Sequence, residues 1–230
     1  MAEAAVKRTP GRGRFVSFEG GEGSGKSTQI RILAERLDAA KLRAIVTREP
    51  GGSPGAEIIR HLLLSGMGKL LGPDAETLLF AAARDDHVRT VIRPALSQGI
   101  WVLCDRFSDS TRAYQGRLGN VAPELLNAME RVTIGDLKPD LTFILDVPVE
   151  IGMQRAAARR GSGAADRFEA EDVRFHRQLR EAYRQIAASE PKRCVLIDAS
   201  ADPGTVAAMI WTALRERLFA TKTGNAVNPA

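Results

Sequence analysis

This sequence predicts a single α/β domain: a five-stranded parallel sheet flanked by helices. Three observations carry that reading. Short apolar or β-branched runs alternate with helical stretches of ten or more residues, the pattern of right-handed crossovers onto a parallel sheet. The runs at 100–104 (IWVLC) and 141–145 (LTFIL) are apolar at nearly every position, as strands covered on both faces should be. No internal repeat or interdomain linker divides the 230 residues, a length that fits one large domain.

The elements follow in order. Residues 15–18 (FVSF) form the first strand, running through a glycine loop into a helix over 25–39. Residues 43–47 (RAIVT) are the second strand, stopped by Glu49-Pro50-Gly51-Gly52. Ile58, Ile59, Leu62 and Leu63 share one-face spacing, which makes 56–64 helical. Residues 74–98 read as one long helix, with Pro73 at its start and Gly99 just past its end. The third strand is 100–104, with helices after it at 109–117 and 122–134. The fourth strand is 141–145, after which Asp146 is expected to cap a helix over 149–159. The small residues Gly161-Ser162-Gly163-Ala164-Ala165 interrupt before a long helix at 168–189, a fifth strand at 195–197 and a closing helix at 203–218.

Composition excludes several classes. At 44% apolar and 27% charged residues, the chain is an ordinary globular one rather than a disordered one. No run approaches the roughly 18 apolar residues of a membrane span, and the basic N-terminus has no apolar segment behind it, so no secretory signal is read. Two cysteines, Cys104 and Cys194, make no disulfide framework. A cytoplasmic protein without a membrane partner is expected. The net charge of +5 tempts one toward nucleic acid, but residues 1–14 hold Lys7, Arg8, Arg12 and Arg14 against Glu3. Residues 15–219 carry 28 basic and 27 acidic groups. The basicity sits mainly in a Gly/Pro-bearing arm, 1–14, which reads as disordered, as does the tail 220–230. Bulk charge therefore gives no reason to expect a nucleic-acid polymer as partner. Arginine outnumbers lysine by 26 to 7. That bias suits phosphate recognition, and a coding habit explains it equally well.

In such sheets ligands bind beyond the carboxyl ends of the strands, here the loops after residues 18, 47, 104 and 145. The first holds Gly20-Gly21-Glu22-Gly23-Ser24-Gly25-Lys26-Ser27, a match to G-x-x-x-x-G-K-[ST] placed between a strand and a helix, with Thr28 following. Glycines let backbone N–H groups converge on a phosphate, and the helix N-terminus adds partial positive charge. Lys26 would reach the β- and γ-phosphates of a nucleoside triphosphate and the Ser27 hydroxyl would ligate Mg²⁺. This loop alone does not separate a kinase from a GTPase or from an ATPase acting on DNA. No N-K-x-D guanine-reading segment follows a later strand. Asp105-Arg106 after the third strand suits a magnesium-bound water and a second phosphate, and Arg48 and Glu49 stand at the same sheet edge after the second.

Taken together, FEGGEGSGKST (18–28), TREPGGSPGAE (47–57), LLFAAAR (78–84), DRFSDSTRAYQG (105–116) and DRFE (166–169) closely resemble the thymidylate kinases. The resemblance covers nearly everything from 15 to about 200, and TREPGG and the DR…AYQG run are far more specific than the phosphate loop. It implies a three-layer P-loop nucleoside monophosphate kinase fold and the Mg²⁺- and ATP-dependent phosphorylation of dTMP to dTDP, commonly in a homodimer. By the same resemblance Phe80 stacks on thymine, and Arg84 donates to a base carbonyl. The i, i+4 spacing independently places these two on one helix face. Arg106 grips the dTMP phosphate with Asp105 beside it on the Mg²⁺ network, and Arg48 helps to hold that phosphate. Glu22 lies near the sugar 3′-hydroxyl, Tyr114 packs under the deoxyribose, and Thr111 and Gln115 line the base pocket. Some members carry a catalytic arginine inside the phosphate loop, where this chain has Gly23. Charge is then expected from a lid at about 155–167, flanked by Arg155, Arg159, Arg160 and Arg167, with Arg160 or Arg159 as the catalytic contact. This lid departs from the family's common pattern in being rich in Gly and Ala.

Overall fold

The computed structural model describes residues 12–161 and 168–219. Five parallel strands form one sheet: β1 (Phe15–Glu19), β2 (Ala44–Arg48), β3 (Trp101–Asp105), β4 (Leu141–Asp146) and β5 (Cys194–Asp198). Their spatial order is β2-β3-β1-β4-β5. The register pairs Phe18 with Asp105 and Arg48 with Asp105, so the three strand ends that lead into the phosphate loop, the TREPGG loop and the Asp-Arg loop lie side by side. β1, β3 and β4 are buried almost throughout, as their unbroken apolar runs require.

Helices cover both faces. On one, α1 (Lys26–Ala39) and α9 (Pro203–Leu214) bury Ile30, Leu33, Leu37, Val206 and Ile210 against Phe18, Leu103 and Phe143. On the other, α4 (Arg93–Ser97) and α8 (Val173–Ser189) lie over the opposite side chains of the same strands. The remaining helices are α2 (Pro54–Leu64), α3 (Pro73–His87), α5 (Ser108–Thr111), α6 (Pro123–Thr133) and α7 (Val149–Arg160). Among the described residues no helix is long and apolar enough to cross a membrane.

Four expectations are corrected. The helix read at 74–98 is interrupted by a wider π-type turn at Val88–Ile92. Pro94 follows it, lacking an N–H and crowding the carbonyl one turn back, and the wider turn absorbs the misfit. The helix read from 168 begins at Val173, where Asp172 caps it by accepting from the Phe175 N–H at 2.8 Å. Asp146 does not cap α7, whose N-cap is Pro148; it accepts instead from Arg180 and Arg184 of α8. The arm expected to be disordered through residue 14 is already held at Gly13, whose N–H donates to the Leu96 carbonyl, and at Arg14, paired with Asp140. Residues 1–11 of that arm, the tail from 220 and the lid segment 162–167 with Arg167 lie outside the described residues.

One packing contact fixes the phosphate loop. A Cβ on Gly152 of α7 would stand 2.6 Å from the Glu22 carbonyl oxygen, and one on Gly23 would stand 1.9 Å from the Gly152 oxygen. Gly152→Ala would gain about 1 kcal/mol from helix propensity. Overpacking costs about 1–3 kcal/mol and wins here, because the neighbour is backbone. The variant is expected to show a lower thermal midpoint together with weaker triphosphate binding, measured by calorimetry and titration.

Candidate active site

The phosphate loop folds as its glycines demand. Gly20, Gly23 and Gly25 take positive φ, and Gly25 is the N-cap of α1. Lys26 is buried, and its Nζ donates to the carbonyls of Gly20 at 3.1 Å and Gly21 at 3.0 Å, so the ammonium crosses under the loop. Burial, then the charge of Arg106, holds its pKa below the ordinary lysine value, with Glu22 and Asp105 working against them. The Ser27 hydroxyl donates to Asp105 Oδ2 at 2.8 Å, joining the first turn of α1 to the end of β3 at the mouth of the loop.

Arg106 stands beside it with φ +68°, a left-handed conformation that is uncommon for a residue with a side chain. Its N–H donates to the Phe18 carbonyl, which aims the side chain back over the phosphate loop. Nη2 donates to Glu22 Oε1 at 2.6 Å, while Nη1 reaches Gly20 O, Ser110 Oγ and the Tyr183 hydroxyl at 3.0–3.3 Å. Burial pushes the Glu22 carboxyl up, but Arg106, Lys26, Arg159 and His176 outweigh it and hold its pKa below the ordinary value. The Tyr114 ring lies under the guanidinium, 5.2 Å from centroid to Cζ.

Arg84 is buried and well partnered. Its Nε donates to Glu49 at 2.7 Å and its Nη2 to Thr111 Oγ1 at 3.0 Å. Glu49 also faces His87 Nδ1, whose other nitrogen meets the Thr47 hydroxyl, so α3 is bolted to the loop after β2. Arg48 pairs with Glu57.

These groups surround one cavity of about 310 Å³. Of the expected residues, Glu22–Thr28, Arg48, Phe80, Arg84, Asp105, Arg106, Thr111, Tyr114, Gln115 and Arg159 line it; Gly20, Gly21 and Arg160 do not. Phe80 is half-buried and faces Phe168 at 6.5 Å between centroids. A second cleft, of about 500 Å³, opens across the phosphate loop between Gly23–Gly25, Thr28, Gln29, Arg155, Arg159 and the loop 199–203 after β5. Gly23, Ser24, Gly25, Thr28 and Arg159 line both spaces. At rest Arg159 and Arg160 are both paired with Glu169, at 2.5 and 2.9 Å.

A family model described as thymidylate kinase matches residues 18–210. The thymidylate kinase of Nitrobacter hamburgensis is 78% identical over the full length of both chains. The chain belongs to the thymidylate kinase family. The thymidylate kinase of Bradyrhizobium diazoefficiens is 76% identical over 96% of this chain and 97% of that one. A crystal structure of the thymidylate kinase from Ehrlichia chaffeensis superposes with a TM-score of 0.70 at 34% identity, covering 90% of this chain and 99% of that one. The sheet flanked by helices on both faces is thus the fold of a thymidylate kinase family member.

Sequence reasoning missed three parts of this site. The loop 199–203 lies beyond the carboxyl end of β5, the same kind of position as the other four loops, but its residues carry no phosphate-binding motif. Gly152 looks like any helical glycine until α7 is laid against the phosphate loop. Glu19, the last residue of β1, is completely buried and accepts from the Phe107 N–H at 2.8 Å and the Ser110 hydroxyl at 2.6 Å. Burial first, then the nearby Asp109, pushes its carboxyl up to about 7 from 4.5, despite the opposing hydrogen bond from Ser110 and charge of Arg106. A raised acid makes its folding contribution below the unfolded pKa and loses it as pH rises through the folded one. Between about pH 4.5 and 7 the native chain should therefore lose stability relative to Glu19→Gln, read as converging or crossing denaturation midpoints across that window.

Proposed function

We propose that this chain transfers the γ-phosphoryl group of ATP to the 5′-phosphate of dTMP, giving dTDP and ADP for dTTP synthesis in the cytoplasm. One observation carries this reading: two spaces meet at a shared wall of Gly23–Gly25, Thr28 and Arg159, one lined by an aromatic and arginines, the other open at the end of β5. Two nucleotides placed in them would meet phosphate to phosphate.

In this account the donor base and ribose occupy the cleft beside Arg155 and the loop 199–203. The triphosphate lies in the loop Gly20–Ser27, and Lys26 exchanges its loop carbonyls for β- and γ-oxygens. Ser27 and Asp105 offer a hydroxyl and a carboxylate side by side, the hard oxygen ligands that magnesium takes alongside phosphate oxygens. When bound, that ion supplies charge neutralisation on the β- and γ-phosphates. The acceptor thymine stacks on Phe80 with Arg84, Thr111 and Gln115 around its edge. Tyr114 closes the space beneath the sugar, where a 2′-hydroxyl would have to fit. Arg106 and Arg48 hold the acceptor phosphate, and Glu22, released from Arg106, meets the 3′-hydroxyl. An acceptor phosphate oxygen attacks the γ-phosphorus, the bond to the β–γ bridging oxygen breaks, and ADP departs. No general base is required, because that phosphate is already ionised at neutral pH. Arg159 leaves Glu169 to meet the transferring group, since it and not Arg160 lines both spaces. Ile58, Leu78 and Val132 expose apolar side chains on α2, α3 and α6, which supports a homodimer through that side.

A coupled assay with Mg-ATP and each of dTMP, dUMP, UMP, CMP and AMP tests the reading. The highest kcat/KM is expected with dTMP. Activity confined to UMP, CMP or AMP would refute it.

A further inference from the structure

Arg106 has a supporting network behind it that the transfer chemistry does not use. A guanidinium only donates hydrogen bonds, and a hydroxyl that accepts one has a single proton to pass on. Nη1 of Arg106 donates to Tyr183 OH at 3.0 Å and to Ser110 Oγ at 3.3 Å. Those hydroxyls donate in turn to Glu19 Oε2, at 3.2 and 2.6 Å respectively, and stand 2.9 Å from each other. Glu19 is the acceptor on which both paths end, and it is anchored by the Phe107 N–H next to Arg106 itself. Its side chain is sealed from solvent and lines neither of the two nucleotide spaces.

We propose that Glu19 is a positioning residue for Arg106, fixing the guanidinium for the acceptor phosphate through the hydroxyls of Ser110 and Tyr183. The proposal rests on the assignment of Arg106 to that phosphate. Tyr183 comes from α8, which follows the lid, so the device ties the acceptor-phosphate arginine to the lid side of the fold. The backbone gives a reason for such a support. With φ at +68°, Arg106 sits in a sparsely populated region that persists only where surrounding contacts over-determine it.

Glu19→Gln keeps the shape but places a donor where the hydroxyls need an acceptor, so their protons turn back toward Arg106. Calorimetric titration of the full-length chain at about pH 8.5, where Glu19 is ionised, with dTMP and, separately, with thymidine reads the effect, because thymidine lacks the phosphate. Glu19→Gln is expected to raise the dTMP Kd about tenfold, the scale of one charge-assisted hydrogen bond. The thymidine Kd and kcat at saturating dTMP should stay within about twofold. Tyr183→Phe, which deletes one relay hydroxyl, should give a smaller rise of the same kind, and it decides the matter if Glu19→Gln does not fold. In an Arg106→Ala background the Tyr183→Phe effect should vanish. Equal losses for dTMP and thymidine, or an unchanged dTMP Kd in folded variants, would overturn the proposal while leaving Arg106 in place. An Arg106→Ala chain that keeps its preference for dTMP over thymidine would instead overturn the assignment of Arg106.

Discussion

Replacing Arg159 by alanine is expected to lower kcat by about 10³-fold or more while leaving the KM for dTMP within about twofold. One arginine on the transferring phosphoryl group contributes 10³–10⁵ in rate in other P-loop enzymes. This chain has Gly23 where some family members place that arginine, and the proposed function draws the charge from α7 instead. Arg159 lines both spaces at once, and Glu169 keeps its pairing with Arg160 when Arg159 leaves, so the exchange strands no buried carboxylate. Arg160 shares that partner but lines neither space. Arg160→Ala is therefore the control, with a kcat close to that of the native chain. Steady-state kinetics on the two variants read the difference, and a large kcat loss in Arg160→Ala alone would move the assignment by one residue.

Arg106→Ala should act on the other substrate. Two charge-assisted hydrogen bonds to the acceptor phosphate amount to about 3–5 kcal/mol, which lowers kcat/KM for dTMP by about 10²–10⁴-fold. The KM for ATP should change far less. Lysine is not expected to rescue the variant, because a single ammonium cannot reproduce the fork that now spans Glu22 and the Gly20 carbonyl. Initial rates with dTMP and ATP varied in turn separate the two effects.

What the sequence made legible follows from how local each signal is. The phosphate loop could be read because its glycines, Lys26 and Ser27 are consecutive and each has a stated task. The inner strands were visible because burial on both faces leaves an apolar run with no alternation. Phe80 and Arg84 share a face through helix geometry alone. Glu19 was hidden because its partners Phe107, Ser110 and Tyr183 lie far along the chain, and a glutamate ending a strand looks like a solvated edge. Gly152 was hidden for the same reason: only the approach of the phosphate loop reveals that no Cβ fits. Pro94 was the readable sign of the interrupted helix, since a proline inside a helical pattern breaks or kinks it. Asp146 has the sequence signature of a cap, a carboxylate just before a helix, whereas three hydrogen bonds from Arg180 and Arg184 claim it.

In the proposed function the two spaces flanking the phosphate loop hold the two nucleotides, with Arg159 between them. A crystal structure of the chain with dTMP and a non-hydrolysable ATP analogue tests it most directly. Thymine is expected against Phe80, the dTMP phosphate on Arg106, and the Arg159 guanidinium within hydrogen-bond distance of the γ-phosphate. Thymine bound away from Phe80 and Arg84, or a γ-phosphate that Arg159 does not reach, would contradict it.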